Sequence, residues 1–124
     1  KVDRVLVDAP CSGLGTLRRN PDLKWRQSEE SVLELAVKQA AILEAAARLA
    51  RPGGRVVYAT CSLLAAENEA IVDAFLAAHP EFSLTPAADV LAKHGITTEG
   101  DTLRLLPHRH HTDGFFAAVL DRKA

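Results

Sequence analysis

The fold is decided first by the stretch RVLVDAPCSG, which runs from Arg4 to Gly13. Its short apolar run is closed by a proline, as in a buried parallel strand that presents polar residues at its carboxyl end. A second run of this kind, RVVYATCS, extends from Arg55 to Ser62 and is rich in β-branched residues. We therefore predict two buried strands, and a cysteine follows each of them.

Between these strands the sequence predicts a long irregular loop and then a helix. Glycine, asparagine and proline interrupt the segment that follows Gly13, as in a loop. Ser28 and the two glutamates after it are a typical helix start, and apolar residues at helical spacing continue to about Ala50. A second helix is predicted from beyond Ser62 to His79. The order strand, helix, strand, helix indicates a right-handed parallel crossover, so the predicted fold class is α/β.

The signal is weaker after Phe82. We predict a strand at Thr102–Leu106 and another at Phe115–Leu120, joined by the His-rich loop His108–Asp113. The two strands are expected to form an antiparallel pair at the C-terminal end of the sheet.

Composition limits the class of protein. The chain has 124 residues, of which 48% are hydrophobic and 25% are charged, as in one globular domain. The formal net charge of −1 gives no overall basic signature, so a nucleic-acid site would have to be a local cluster. No apolar run reaches the roughly 20 residues needed to span a bilayer, and no signal segment is recognisable. We expect a reducing, cytoplasmic location in which both cysteines are thiols.

Ligands of open α/β sheets bind beyond the carboxyl ends of the strands, so Asp8, Cys11 and Cys61 are predicted to share one functional rim. Backbone donors and the positive end of the following helix would favour a thiolate at Cys61. Two other interpretations remain. Both cysteines could be small core residues. They could also bind a metal with a histidine cluster, although the usual Cys-x-x-Cys spacing is missing. That cluster is His108, His110 and His111.

The loop after the first strand carries basic residues around Trp25. Phosphate contacts and base stacking by such residues are typical of single-stranded RNA recognition. A solvated loop with Trp25 packed into the core explains them equally well. The basic residues are Arg18, Arg19, Lys24 and Arg26. Arg104 and His108 could also line RNA, or belong to an exposed polar surface.

Three motifs together resemble those of one enzyme family. They are DAPCSG at Asp8–Gly13 with the following RNPD and KW, then TCS at Thr60–Ser62 with ENE at Glu67–Glu69, and finally LPH with TDGFFA at Thr112–Ala117. In this order they resemble the Sun/RsmB family of S-adenosylmethionine-dependent RNA cytosine-5 methyltransferases, over nearly the whole chain. The resemblance implies the C-terminal half of a Rossmann-like class I methyltransferase sheet. Residues 1–124 would then be a partial catalytic domain that lacks the cofactor-binding first half.

The resemblance also implies roles for single residues. Cys61 would add to carbon 6 of cytosine, and Asp8 would stabilise the charge that develops on the ring. Cys11 would assist breakdown of the covalent adduct. Asp8 and Pro10 would contact the cofactor, and Pro10 would also orient the base. Arg19, Lys24, Arg26 and His108 are expected to contact the RNA, most plausibly small-subunit ribosomal RNA, with transfer RNA as the alternative.

The sequence departs from a complete nucleotide-binding sheet in two respects. It has neither the glycine-rich loop nor the acidic residue that would hold a ribose. We therefore expect this chain alone to bind no S-adenosylmethionine and to be inactive. A non-catalytic RNA-binding module is the non-enzymatic alternative, and the two retained thiols count against it. The Val5–Ala9 strand would become a sheet edge, so a homodimer through this strand is expected.

Overall fold

The computed structural model describes residues 1–12, 29–62, 64–95, 100–105 and 114–124. Strands and helices alternate along these residues, as predicted for an α/β protein. The strands are β1 (Val2–Asp8), β2 (Ala50–Thr60), β3 (Phe82–Thr85), β4 (Leu103–Leu105) and β5 (Phe115–Arg122). The helices are α1 (Glu29–Leu49), α2 (Glu69–Ala78) and α3 (Ala87–Ala92), and a 3₁₀ turn at Ala65–Glu67 precedes α2.

The sheet has the strand order β1-β2-β5-β3, and β4 also pairs with β5. β1 and β2 are parallel, so the predicted crossover through α1 is confirmed. β5 is antiparallel to β2, β3 and β4. The predicted antiparallel pair of C-terminal strands is therefore present, and the fold class is confirmed. Two features were not predicted: β5 inserts beside β2, and β3 and α3 follow Phe82.

β2 begins at Ala50, before the strand that was predicted from Arg55, and its first part contains a bulge. Val2 pairs with Ala50, but Arg4 pairs with Arg55, so the segment between Ala50 and Arg55 lies opposite a single residue of β1. Gly53 has a φ of +83°, a conformation that costs a residue with a side chain about 1–2 kcal/mol. The bulge therefore depends on glycine and sets the register of the two parallel strands.

The core lies on the face of the sheet that α1 and α2 cover. Val7 of β1 is buried there beside Tyr58 of β2, its partner in the register. Tyr58 is in turn paired with Ala118 of β5, and its ring makes an edge-to-face contact with Phe116, with the centroids 6.5 Å apart. This continuous apolar layer fixes the strands on which the polar rim is built.

β1 is an edge strand of the sheet formed by the described residues, with β2 as its partner. Its side chains alternate between a buried face and an open face, where Leu6 is 72% exposed. Such an edge suits the homodimer expected from the sequence, and that homodimer stays a prediction. In the part of the chain that the structure describes, no helix is long and apolar enough to cross a membrane.

Candidate active site

The two cysteines lie side by side at the carboxyl ends of β1 and β2. The parallel pairing extends past Asp8, because the amide of Ala9 donates to the carbonyl of Ala59 at 2.9 Å. The sulfurs of Cys11 and Cys61 are 3.2 Å apart, far longer than the roughly 2.05 Å of a disulfide bond. Both residues are only partly buried, so neither is a core cysteine. The thiols therefore converge at one rim, as the sequence predicted, whereas their chemical roles stay predictions.

A buried carboxylate beneath the thiols connects their two loops. Glu67 is fully buried, and its Oε1 accepts hydrogen bonds from the hydroxyls of Ser12 and Ser62, each at 2.6 Å. Ser12 follows Cys11 directly, and Ser62 follows Cys61. The backbone amide of Ser12 also donates to Oε2 of Glu67 at 2.8 Å. A single side chain therefore binds both cysteine loops.

Helix α1 contributes the fourth donor to this carboxylate. Nε2 of Gln39 donates to Oε2 of Glu67 at 2.9 Å and to the carbonyl of Pro10 at 2.8 Å. Gln39 is fully buried, and within the described residues its Oε1 has no hydrogen-bond partner. The amide nitrogen of Gln39 thus connects the crossover helix with the loop of Cys11.

Asn68 holds the turn that carries Cys61. Its Oδ1 accepts a hydrogen bond from the hydroxyl of Thr60 at 2.5 Å, and its Nδ2 donates to the carbonyl of Ser62 at 2.9 Å. The hydroxyl of Thr60 in turn accepts a hydrogen bond from the amide of Ser62 at 3.2 Å. Because Asn68 is almost fully buried, the residues on both sides of Cys61 are fixed from below.

Tyr58 connects the same network with the apolar core. Its hydroxyl donates to the backbone carbonyl of Glu67 at 2.7 Å. Burial raises the pKa of Tyr58, and the negative charge of the Glu67 carboxylate raises it further. The phenol is therefore held as a neutral hydrogen-bond donor at physiological pH, and it anchors Glu67 to β2.

Asp8 and Pro10 occupy the outer part of the rim. Both residues are exposed, Asp8 as the last residue of β1 and Pro10 immediately before Cys11. The carbonyl of Pro10 is engaged by Gln39, so its position is fixed although its ring is open to solvent. These residues therefore present a carboxylate and a rigid proline at the carboxyl end of β1.

The predicted RNA contacts lie elsewhere in the chain. Arg19, Lys24, Arg26 and His108 lie outside the described residues, as do the other histidines of the metal interpretation. Among the residues that the structure describes, no group of three or more potential metal ligands occurs. Arg104, also considered for RNA, forms an ion pair with Glu69 of α2.

Sequence reasoning missed the supporting residues of the site. Glu67 and Asn68 were recognised as part of a motif, but no role was assigned to them, and Gln39 was not singled out. A signal for Gln39 is present in retrospect, because it is a polar residue three positions after the apolar Ala36 and four before Leu43, on the face of α1 that meets the core.

Comparisons with known proteins give a consistent result. The family model described as "16S rRNA methyltransferase RsmB/F" matches residues 1–121. The protein named "Probable ribosomal RNA small subunit methyltransferase B" from Synechocystis is 47% identical over 98% of this chain, which corresponds to 27% of that protein. "Ribosomal RNA small subunit methyltransferase B" from Yersinia pseudotuberculosis is 43% identical over 98% of this chain and 26% of its own length.

A solved structure has the same fold. NSun6 from Pyrococcus horikoshii, solved with the S-adenosylmethionine analogue SFG, superposes with a TM-score of 0.82. It is 31% identical and covers 100% of this chain and 31% of its own. The chain thus spans about a quarter of the length of the curated relatives it matches.

Proposed function

Because this chain belongs to the 16S rRNA methyltransferase RsmB/F family, we propose that the protein containing it transfers a methyl group from S-adenosylmethionine to carbon 5 of a cytosine in ribosomal RNA. The observation that carries the proposal is the pair of thiols, 3.2 Å apart at one rim of the sheet. Carbon 5 of cytosine is a poor nucleophile until a thiolate adds to carbon 6. A partly exposed cysteine at the carboxyl end of a strand is suited to that addition.

We assign the addition to Cys61. Its sulfur forms a bond with carbon 6, and the electrons of the ring double bond move to carbon 5. Cys11 can donate its S–H to the neighbouring sulfur across the 3.2 Å contact, which stabilises a thiolate at Cys61. After methyl transfer, solvent at the exposed rim accepts the proton of carbon 5, the electrons of that C–H bond re-form the ring double bond, and the Cys61 sulfur leaves as a thiolate. Cys11 lies next to the breaking carbon-sulfur bond and assists the breakdown.

Asp8 supports the addition from the outer rim. In its protonated form the exposed carboxyl group can donate to the ring nitrogen, where negative charge develops as sulfur adds, while its other oxygen accepts from the exocyclic amine. Pro10 has no backbone N–H and its carbonyl is occupied by Gln39, so it offers the base a rigid wall. Recognition of the RNA backbone by Arg19, Lys24, Arg26 and His108 is part of the proposal.

The described residues suit the sulfonium end of S-adenosylmethionine. The carboxylate of Asp8 suits a cationic sulfonium, and Pro10 is exposed beside it. A glycine-rich loop that would hold the nucleotide part is not present in this sequence. S-adenosylmethionine, when bound, supplies an electrophilic methyl group. A non-catalytic RNA-binding module would have no use for two thiols in contact, and their retention favours the enzyme.

The test is a Cys61→Ala variant of the full-length protein, incubated with ribosomal RNA that contains 5-fluorocytidine. The wild-type protein should form an adduct that resists denaturing electrophoresis, because fluorine at carbon 5 blocks its breakdown. Cys61→Ala should form none and should transfer no methyl group to unmodified RNA. Cys11→Ala should instead accumulate an adduct on unmodified RNA. Turnover by Cys61→Ala at the wild-type rate would exclude the assignment.

A further inference from the structure

Glu67 lies beneath the two cysteines without being one of the groups that would contact the substrate. It is fully buried, and all four hydrogen bonds to its carboxylate come from residues at or beside the rim. We propose that Glu67 is a positioning residue that fixes the separation of Cys11 and Cys61. The inference rests on the proposed function for its purpose, since that function requires both thiols at one base.

The bridging contact is made by one atom. Oε1 of Glu67 accepts from the hydroxyls of Ser12 and Ser62 at 2.6 Å each. Each of these serines directly follows one of the cysteines, so this oxygen is hydrogen-bonded to the immediate neighbour of each thiol-bearing residue. A displacement of either loop would lengthen one of the two short hydrogen bonds. The separation of the sulfurs is thus coupled to the geometry at a single oxygen.

The remaining contacts fix the carboxylate itself. Oε2 accepts from the amide of Ser12 and from Nε2 of Gln39, two groups that can only donate. The carbonyl of the same residue accepts from Tyr58 in the core. The carboxylate therefore has no freedom to rotate, and a buried polar network with all of these donors satisfied is rigid.

A purely structural role would not require this arrangement. A buried carboxylate is costly to desolvate, and packing alone is commonly served as well by an apolar residue. Gln39 gives a second argument of this kind. Within the described residues its buried Oε1 has no hydrogen-bond partner, which is unfavourable, and only its Nε2 makes contacts, to Glu67 and Pro10. Reacting groups, in contrast, lose about a hundredfold in rate for a misplacement of about 1 Å. Glu67 can fix the positions of the two thiols because it binds both of their loops.

The test measures the proximity of the thiols independently of methyl transfer. Diamide takes one hydrogen from each thiol and is reduced to the hydrazine, and a sulfur-sulfur bond joins Cys11 with Cys61. The rate of this step in the full-length protein is followed by peptide mapping of the crosslinked pair. Methyl transfer is measured in parallel as kcat and KM for ribosomal RNA.

Glu67→Ala should slow disulfide formation and lower kcat by at least about tenfold, with KM changed much less. Glu67→Gln should remain within about threefold, because its Oε1 can face the two obligatory donors while its Nε2 donates to the serine hydroxyls. Ser62→Ala releases the Cys61 loop alone and keeps the carboxylate, so it carries the test if Glu67→Ala does not fold. Phe82→Leu in the distant β3 is the control for lost stability, and it should leave both rates within about twofold.

Disulfide formation by Glu67→Ala or Ser62→Ala at the wild-type rate would overturn the proposal, as would an equal loss in Phe82→Leu. A wild-type protein that forms no Cys11–Cys61 disulfide would overturn it as well. If the thiol rates behave as expected while the wild-type protein methylates no RNA, the positioning role stands and the proposed function fails.

Discussion

At Gly54 even the smallest substitution, to alanine, should destabilise the sheet. It is buried in the bulge at the start of β2. A Cβ atom at this position would lie 2.8 Å from the carbonyl oxygen of Arg51 and 3.1 Å from that of Asp3. Both contacts are with backbone, so they can be relieved only by moving the bulge or β1.

The expected cost follows from these two contacts. Forcing a methyl group into a well-packed site costs about 1–3 kcal/mol when backbone must shift. The lower entropy of the unfolded alanine chain offsets about 0.4–1 kcal/mol of this. Gly54→Ala should therefore lower the free energy of unfolding by about 1–2 kcal/mol. For a domain of this size each kcal/mol lowers the melting temperature by roughly 4 °C.

The neighbouring glycine provides a matched control, because Gly53 needs its positive φ and not space. Its Cβ would meet only the side chain of Ala124, at 4.0 Å. Asparagine tolerates the left-handed conformation, so Gly53→Asn should recover part of the stability lost in Gly53→Ala. Gly54→Asn should recover nothing relative to Gly54→Ala.

Urea unfolding followed by circular dichroism measures all four variants. The disulfide rate of Cys11 with Cys61 reports in the same samples whether the register of β1 has shifted. Gly54→Ala within about 0.5 kcal/mol of the wild-type protein would refute the reasoning, since that is the range of a harmless surface substitution. A gain from asparagine at Gly54 would refute it as well.

Substitutions at two further positions, Asn68 and Asp121, test hydrogen bonds elsewhere in the fold. Asn68→Ala leaves the buried carbonyl of Ser62 and the hydroxyl of Thr60 without their partner, so it should lower the free energy of unfolding in urea by about 2–4 kcal/mol. Asn68→Asp should be no more stable than Asn68→Ala, because it places an oxygen against the carbonyl of Ser62. Asn68→Asp with wild-type stability would contradict this. The hydrogen bond from Arg55 lowers the pKa of Asp121 in the folded protein. The ion pair therefore stabilises the fold fully at a pH above the ordinary aspartate pKa of about 4. This stabilisation is lost as the pH falls through the lower pKa of the folded state. Asp121→Asn should therefore be less stable at neutral pH and lose less stability on acidification, and parallel pH profiles for the two proteins would contradict the assignment.

The parallel half of the fold could be predicted from the sequence because its signals are local. Each buried strand is a short β-branched run with a clear end, and α1 shows helical spacing over its full length. The position of β5 could not be predicted in this way. Its pairing with β2 joins Arg55 to Asp121, which are 66 residues apart, and no local pattern encodes such a contact. β3 is only four residues long, too short for its alternation to stand out.

The candidate site also has a part that could be predicted from the sequence and a part that could not. The position of Asp8, Cys11 and Cys61 at one edge of the sheet could be predicted, because the ends of parallel strands share an edge, whereas their roles stay predictions. The contacts of Glu67 could not be predicted, since it accepts five hydrogen bonds from four residues, which lie on α1, on β2 and in both cysteine loops. A glutamate before a helix has an ordinary explanation as a first-turn acidic residue. Only the contacts distinguish that explanation from a buried carboxylate.

The burial of Glu67 also bears on when the site acquires its geometry. The donors that face its carboxylate are satisfied without any ligand, so the loops of Cys11 and Cys61 are held before a base arrives. In the proposed reaction, substrate binding energy would then not be used to assemble the thiols, and a preorganised site needs little rearrangement during the reaction. The two cysteine loops are held by buried contacts, since Glu67 is itself anchored by Tyr58 in the core of β2. On the proposed function, changes that loosen these contacts should therefore lower kcat for methyl transfer more than they weaken the binding of RNA.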